Sequence, residues 1–316
     1  MADPKTALVF DWPSLDAEAG SYLSAWENTT TKELLDLAGL KPDKIFVASS
    51  VRPRKWPEAF IGGKVGGALL PSYASDCTKV LDALEGYDIA LTMGQHAMFC
   101  LTGHTAIDTY RGTHIDCPFV PSLQVVPTYA PFIYSRLNWA ERPVVTSAMR
   151  KATRRYEDSD RTIYIPESLA DFYWYWTNCI KDQIVFDVET NYAGRITEFS
   201  MAASSADCLY VQLEDRGANA MWSEQDELDI WLWLHWLAQQ KDIAWGFHNS
   251  CYDLSYLDVY GIRPRGRIFD TMLRHHAFQP EWEKSLGFLA SLHVPGRAWK
   301  HLRTQAKKSF NKAGAL

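Results

Sequence analysis

Apolar and polar positions in the first half of the chain alternate between short apolar runs and longer segments with helical periodicity. The runs predict four buried strands: Ala7–Phe10, Lys44–Ala48, Ile89–Met93 and Gln124–Val126. Helices are predicted between them, around 32–38 and 77–84. This alternation favours a parallel sheet that helices cover on both faces. Loops at the carboxyl ends of such strands usually form the binding crevice.

The second half has a different order of elements. Its patterns predict, in chain order, a strand over 184–186, a hairpin of 198–203 and 208–213, a tryptophan-rich helix around 231–237, a strand over 243–247 and a helix that begins near Tyr252. The order strand, hairpin, helix, strand, helix is typical of a mixed α/β fold.

A charged run near the midpoint separates the two halves. Residues 150–161 carry no apolar periodicity, which is typical of a linker. The chain has 316 residues, of which 47% are hydrophobic and 22% charged, so the composition is that of a soluble globular protein and the length favours two domains. We place these domains at 1–152 and 161–316.

Two acidic residues follow the first apolar run of the second half. Asp187 and Glu189 are two positions apart, so on a strand they point to the same face, with Val188 turned into the core. Two carboxylates on one face repel each other, and a hard divalent cation such as Mg²⁺ or Mn²⁺ relieves the repulsion. The pair therefore indicates a metal site. The alternative is a strand that ends in solvated acids.

A third acid is expected at the same end of the sheet. The strand over 243–247 ends in His248 and Asn249, and the helix that follows carries Asp253. A later stretch, Phe269-Asp270-Thr271-Met272, reads as a further transition from strand to helix. Asp187, Glu189 and Asp253 are thus expected at the mouth of one sheet.

In order and spacing, these stretches resemble the motifs of 3′→5′ exonucleases with an Asp-Glu-Asp-Asp metal set, particularly the proofreading domains of family A DNA polymerases. The resemblance covers roughly 161–293 and implies a mixed-sheet, ribonuclease H-like fold. It implies two ions at the scissile phosphate, with Asp187 bridging both, Glu189 positioning the attacking water and Asp253 on the second ion.

The same resemblance implies which residues contact nucleic acid and which ligand is missing. It assigns Thr190, Asn249 and Tyr252 to nucleic-acid binding. It also implies a fourth Asp on a late helix, but no Asp follows Asp270 in this chain. Either the chain is a fragment of a longer polymerase, with the last motif beyond residue 316, or the site has lost a ligand and is weak or inactive.

Two glutamates near the end could in principle replace the fourth carboxylate. Glu281 and Glu283 lie in a loop-like stretch, Pro280-Glu281-Trp282-Glu283, so we expect solvated surface acids instead.

The loops of the first half resemble those of uracil-DNA glycosylases over roughly 8–152. The stretches that carry this resemblance are Gly94-Gln95-His96-Ala97, Leu101-Thr102-Gly103, Tyr110-Arg111-Gly112 and Val126-Pro127-Thr128-Tyr129-Ala130-Pro131, followed by Arg136. The resemblance implies an α/β/α domain and places Arg111 and Arg136 at nucleic acid.

The departures from the glycosylase pattern fall on its reactive positions. Ala130 stands where the family has a His that stabilises charge on the departing base, and Ser49 stands where an Asn reads the base edge. Asp11 takes the place of a Glu in the loop that positions water. Losing one group that stabilises charge reduces the rate by roughly 10²- to 10³-fold. We therefore expect a non-catalytic domain that contacts DNA or a partner; a purely structural role is the alternative.

The cysteines give no sign of a metal cluster. Some of these glycosylases hold an iron–sulfur cluster on four cysteines, but of the six cysteines here only Cys77 falls near such a position, and no Cys-x-x-Cys pair occurs. We expect buried, reduced thiols, without an iron–sulfur cluster or zinc.

Charge and hydropathy limit the partners and the location. The net charge of −6 argues against a generic electrostatic DNA binder, although basic clusters at 52–55, 150–155 and 300–312 could track phosphates or lie on solvated faces. No apolar stretch is long enough to span a bilayer, and the start lacks a secretion signal. We expect a cytoplasmic protein, in the host cytoplasm if it is phage-encoded, with no membrane partner.

Two functions of different classes follow. The first is the Mg²⁺- or Mn²⁺-dependent proofreading portion of a phage or bacterial family A polymerase, acting on single-stranded DNA or a DNA 3′ end. The second is a catalytically impaired module that binds nucleic acid and recruits a replication or repair partner. Residual glycosylase activity is a third, weaker possibility.

Overall fold

A computed structural model describes residues 3–131, 141–215 and 217–299. The chain forms two compact units, one of Met1–Glu157 with Gly287–Leu316 and one of Asp158–Leu286. The boundary near residue 157 lies within the predicted linker. The sequence-based division differs at residues 287–299, which belong with the first unit and not with the second.

The sheet of the first unit has five strands in the order β2-β1-β3-β5-β4. They are β1 Thr6–Phe10, β2 Lys44–Val47, β3 Ile89–Met93, β4 Ile115–Asp116 and β5 Gln124–Thr128. Strand β1 lies parallel to β2 and β3, and β3 lies parallel to β5. The predicted parallel strands are confirmed; the short antiparallel β4 is an addition, since two residues carry no periodicity.

Helices cover both faces of this sheet. They are α1 Ala25–Ala38, α2 Pro71–Ala83, α3 Gln95–Thr102, α4 Ile107–Tyr110 and α5 Glu141–Lys151. Alternate residues of β1 enter different cores: Ala7 and Val9 pack with Cys77 and Leu101, whereas Leu8 packs with residues such as Leu34 and Val145 of α1 and α5. This two-sided burial explains why the strands read as continuous apolar runs.

The second unit has six strands in the order β11-β10-β7-β8-β9-β6. They are β6 Thr162–Tyr164, β7 Gln183–Thr190, β8 Ile196–Ala202, β9 Asp207–Gln212, β10 Ala244–Phe247 and β11 Ile268–Asp270. The predicted hairpin is the antiparallel pair β8 and β9, and β7 also lies antiparallel to β8. Because β10 and β6 pair in parallel with β7 and β9, the sheet is mixed, as predicted.

The helices of the second unit are α6 Leu169–Cys179, α7 Glu224–Ala238, α8 Ser250–Val259 and α9 Thr271–Phe278. The core contains Phe186, Phe199 and Trp245 from the sheet and Leu234 from α7. On β7 the alternation is clear, since Phe186 is 1% exposed and its neighbour Val185 is 50% exposed. One face of β7 thus packs into the core and leaves the other for polar residues.

The last helix of the described residues is α10, Leu286–His293. From Gly287 on, this helix belongs to the first unit. The Lys151 ammonium donates to the carbonyls of Ser291 at 2.6 Å and Val294 at 2.7 Å, and so satisfies carbonyls at the C-terminal end of α10. Burial lowers the pKa of Lys151 to about 8. Gly112, at φ 67°, lets the Ser291 carbonyl approach closely, because an added Cβ would lie 2.5 Å from the oxygen of that carbonyl.

The cysteines depart from the prediction of buried, reduced thiols. Cys77 and Cys100 are joined as a disulfide, which α2 and α3 bring together across 23 positions of sequence. Cys117 is buried, but Cys251 is exposed, and Cys179 and Cys208 are half-buried. The prediction is wrong at those five positions, because the pairing and the exposure depend on tertiary packing that spacing does not encode.

No helix within the described ranges combines the length and the apolar character that a bilayer span requires.

Candidate metal centre on the second sheet

The acidic pair lies within β7, on its polar face. Asp187 is exposed, Glu189 is half-buried and Val188 between them is 3% exposed. The strand extends past the predicted end at Phe186, because β8 pairs with it as far as Thr190. The predicted alternation of faces is therefore observed, and the pair belongs to the strand rather than to a loop.

Asp253 in the first turn of α8 reaches the same strand. Its carboxylate accepts a hydrogen bond from the Val188 backbone N–H at 3.0 Å, between the two acids in sequence. This N–H is available because β10 pairs with β7 only up to Val185. Asp253 is 2% exposed, so the contact lies in the protein interior. Three predicted acidic residues are thus assembled by one strand and one helix.

Burial raises the pKa of Asp253 to about 6. The Val188 N–H opposes this shift, whereas the nearby carboxylates of Asp187 and Asp270 add to it. Like charges disfavour the ionised form, and a cation at the site would favour it. The electrostatics of Asp253 therefore fit a residue that binds a positive ion.

The donor set also fits a divalent ion by its chemistry. Carboxylate oxygens are the ligands that Mg²⁺ and Mn²⁺ prefer. In the described part of the chain, Asp187, Glu189 and Asp253 do not offer three oxygens that all lie within 4.8 Å of one another. A two-ion centre does not need that, because its ions lie about 3.5–4 Å apart and divide the ligands between them.

The predicted nucleic-acid contacts lie beside this centre. Thr190 and Tyr252 are linked through their hydroxyl oxygens at 2.8 Å, and Tyr252 is 41% exposed. Asn249 has a left-handed backbone, with φ 75°, at the N-terminus of α8, and its side chain makes no capping bond there. Thr190 and Tyr252 are therefore brought together directly.

Asp270 has a structural role in this arrangement. It caps α9 by accepting from the N–H groups of Met272 at 2.7 Å and Leu273 at 3.1 Å, and it also accepts from the Asn249 N–H at 3.3 Å. Burial alone would raise its pKa, but hydrogen bonds from Ser250 and from the Leu273 and Asn249 amides lower it. Asp270 thus holds the start of α8, from which Asp253 projects.

Sequence reasoning missed one acid, Glu198 of β8. It lies directly opposite Glu189 in the β7–β8 pairing and accepts a hydrogen bond from the Tyr210 hydroxyl. Together with Asp187, Glu189 and Ser200, these two side chains line a cleft of about 240 Å³. Like charges directly opposite each other are destabilising. The pairing register of β7 with β8 is the signal that would have found Glu198.

The two late glutamates are exposed, as predicted for surface acids. Glu281 and Glu283 lie in the loop between α9 and α10, and Glu283 accepts from the Ser285 hydroxyl at 2.5 Å.

In the first unit, Asp11 and Ala130 line a small cleft of about 20 Å³ with Arg52. Burial raises the pKa of Asp11 to about 7, against the opposing effect of amides that include Ala97, whose N–H donates to the carboxylate at 2.7 Å. Gly94 is required here, since a Cβ would lie 2.1 Å from that carboxylate. Asp11 therefore caps α3.

The other first-unit residues are engaged in packing. Ser49 is 1% exposed and its hydroxyl donates to the Val51 carbonyl at 3.1 Å. Arg111 is 4% exposed, donates to the Tyr129 hydroxyl at 2.8 Å and to Ser291 at 3.1 Å, and its guanidinium lies 4.4 Å from the Phe288 ring centre. In this arrangement Arg111 is not accessible to a phosphate. Arg136 lies outside the described residues.

A mixed sheet that presents carboxylates from a strand and a helix on one face defines a candidate divalent-cation centre.

No protein-family model matches the chain, and no curated protein matches it.

Solved structures show weak similarity. Brucella melitensis NrnC bound to pGG is 17% identical to this chain, with a TM-score of 0.30. The match covers 43% of this chain and 62% of NrnC, so this chain spans less than two thirds of the length of NrnC. The Aedes aegypti Nibbler EXO domain is 16% identical over 48% and 75%, with a TM-score of 0.35. The EXD2 exonuclease domain soaked in Mg is 21% identical over 41% and 68%, with a TM-score of 0.26. Similarity at this level says nothing about the reaction of this chain.

Proposed function

We propose that the second unit is a metal-dependent 3′→5′ exonuclease domain that acts on DNA 3′ ends within a DNA polymerase or a replication or repair protein. The observation that carries this proposal is the hydrogen bond from the Val188 N–H to Asp253. It brings an acid of α8 to the stretch of β7 that bears Asp187 and Glu189. Carboxylates that converge on a sheet face suit a reaction at a phosphodiester.

In this proposal Asp187, Glu189 and Asp253 hold Mg²⁺ or Mn²⁺, which supplies charge stabilisation and an activated water at the scissile phosphate. Glu189 orients the attacking water. Thr190 and Tyr252, whose hydroxyl groups meet at 2.8 Å, contact the terminal nucleotide. The exposed Tyr252 ring offers a surface on which an unpaired base can stack.

A second candidate function is a binding module without turnover. The observation that favours it lies in the first unit, where Ala130 and the internally bonded Ser49 stand at the reactive positions of the glycosylase pattern. Both units would then keep surfaces for nucleic acid and position a replication partner.

Digestion of a 5′-labelled single-stranded DNA by the full chain tests the proposal. We expect stepwise shortening from the 3′ end that requires Mg²⁺ or Mn²⁺ and stops with a chelator. A strand blocked at its 3′ terminus is the control, and an RNA of the same sequence tests sugar preference. Tight binding with no shortening in either metal would overturn the proposal and support the binding module.

Glu198→Gln tests whether the acid opposite Glu189 contributes to the centre. The variant keeps the size of the side chain but removes its charge, so we expect cleavage to require about 10- to 100-fold more Mg²⁺, the range for partners that support a metal ligand. The measurement is the Mg²⁺ dependence of the cleavage rate, with the exposed Glu283→Gln as the matched control. An unchanged Mg²⁺ dependence would restrict Glu198 to its bond with Tyr210.

A further inference from the structure

Two cysteines and a histidine cluster inside the first unit, apart from the carboxylates. Cys77 comes from α2, and His96 and Cys100 come from successive turns of α3, which places the latter two on one face of that helix. Each side chain offers one ligand atom, and these atoms all lie within 4.8 Å of one another. All three residues are buried, at 6%, 0% and 5% exposure respectively.

His96 is the independent sign of a ligand. Its Nε2 faces the Cys100 sulfur at 3.5 Å, and within the described residues its Nδ1 has no hydrogen-bond partner. The aromatic rings of Trp12 and Tyr73 lie 5.4 Å and 5.8 Å from the imidazole. A buried polar group without a hydrogen bond destabilises the folded protein. A disulfide sulfur has no proton to donate, so the oxidised pair leaves this imidazole poorly satisfied.

The geometry points to a binding site for a thiophilic divalent metal ion, of the Zn²⁺ class, at Cys77, His96 and Cys100 once the disulfide is reduced. A dithiol reductant supplies two electrons and two protons and gives two thiols. The ion then displaces both thiol protons and takes the Nε2 lone pair of the neutral imidazole. Three protein ligands leave a fourth tetrahedral position for water.

Charge and ligand type select the ion. Two thiolates and a neutral imidazole balance a charge of +2, and an electrically neutral cluster is what a dry interior tolerates. Sulfur ligands favour Zn²⁺ over Mg²⁺, which prefers oxygen. The site therefore differs in chemistry from the carboxylate centre of the second unit. A bound ion would tie α2 to α3 in reducing conditions, as the disulfide does in oxidising conditions.

Cobalt titration of the full chain tests this site, because Co²⁺ bound to thiolate gives a charge-transfer band that carboxylate ligands do not. We expect the reduced, metal-free protein to bind one equivalent of Co²⁺ and to show that band. Added Zn²⁺ should displace the Co²⁺ and abolish the band. The same protein with the disulfide intact should show no band. This oxidised control has an unchanged sequence, so it does not depend on whether a variant folds.

Substitutions then identify the ligands. Cys100→Ser and His96→Gln should each lose the band or weaken Co²⁺ binding strongly, whereas Cys251→Ser, at an exposed cysteine of the second unit, should leave it unchanged. Absence of the band in the reduced wild type would overturn the site. So would a band that survives both substitutions or is lost in Cys251→Ser.

Discussion

Asp187→Ala is expected to reduce the rate of metal-dependent cleavage of single-stranded DNA by roughly 10²- to 10³-fold. This is the loss that follows from deleting one group that stabilises charge. Asp187 lies on the polar face of β7, and its charge already acts on Asp253 across the site. Without it, neither ion of a two-ion centre would keep its shared ligand. The measurement is the initial rate of 3′ shortening at saturating Mg²⁺.

Asp182→Ala is the matched control for this substitution. Asp182 immediately precedes β7 and is exposed, so the variant makes the same change in charge without touching the centre. We expect its rate to equal that of the wild type. If Asp187→Ala kept the wild-type rate while a chelator still stopped cleavage, the metal centre would lie elsewhere in the chain.

The acidic pair of the candidate centre could be predicted from the sequence because both residues lie on one strand, β7. Period-two alternation sends Phe186 and Val188 inward and Asp187 and Glu189 to the other face, and this needs no knowledge of the partner strands. Asp253 could also be predicted from the sequence, since it follows an apolar strand and lies near the start of a helix. Its bond to Val188 could not, because it depends on where β10 stops pairing with β7.

Features that depend on pairing between distant segments could not be predicted. Glu198 becomes a neighbour of Glu189 only through the register of β7 with β8. The return of α10 to the first unit depends on bonds such as that from Lys151 to Ser291, 140 positions apart. Ser291 and Phe288 of α10 also contact Arg111, which is buried here, although motif resemblance alone places it at nucleic acid.

Asp11 differs from Ala130 and Ser49 in what its side chain contributes to the first unit. Asp11 is buried, and its carboxylate accepts a hydrogen bond from the Ala97 N–H in the first turn of α3, which is a capping role. Ala130 and Ser49 carry no comparable group into the cleft. That this unit is a non-catalytic relative of the glycosylases stays a prediction.

Phe186→Ala is expected to destabilise the second unit by about 3–5 kcal/mol, the range for truncating a buried phenylalanine. The ring is 1% exposed and lies 5.3 Å from that of Trp245 and 5.5 Å from that of Phe199, so its removal leaves a cavity at the centre of the sheet. Urea unfolding of the full chain, followed by tryptophan fluorescence, measures the change.

Val185→Ala separates loss of the core from a general effect on β7. Val185 is the preceding residue on the same strand and is 50% exposed, so its truncation should change the free energy of unfolding by less than about 1 kcal/mol. Because Phe186 adjoins Asp187, its loss should also reduce cleavage at temperatures where Val185→Ala is unaffected. Equal destabilisation by both variants would mean that the two faces of β7 are buried alike, which would contradict a polar face that is open to a cation and a phosphodiester.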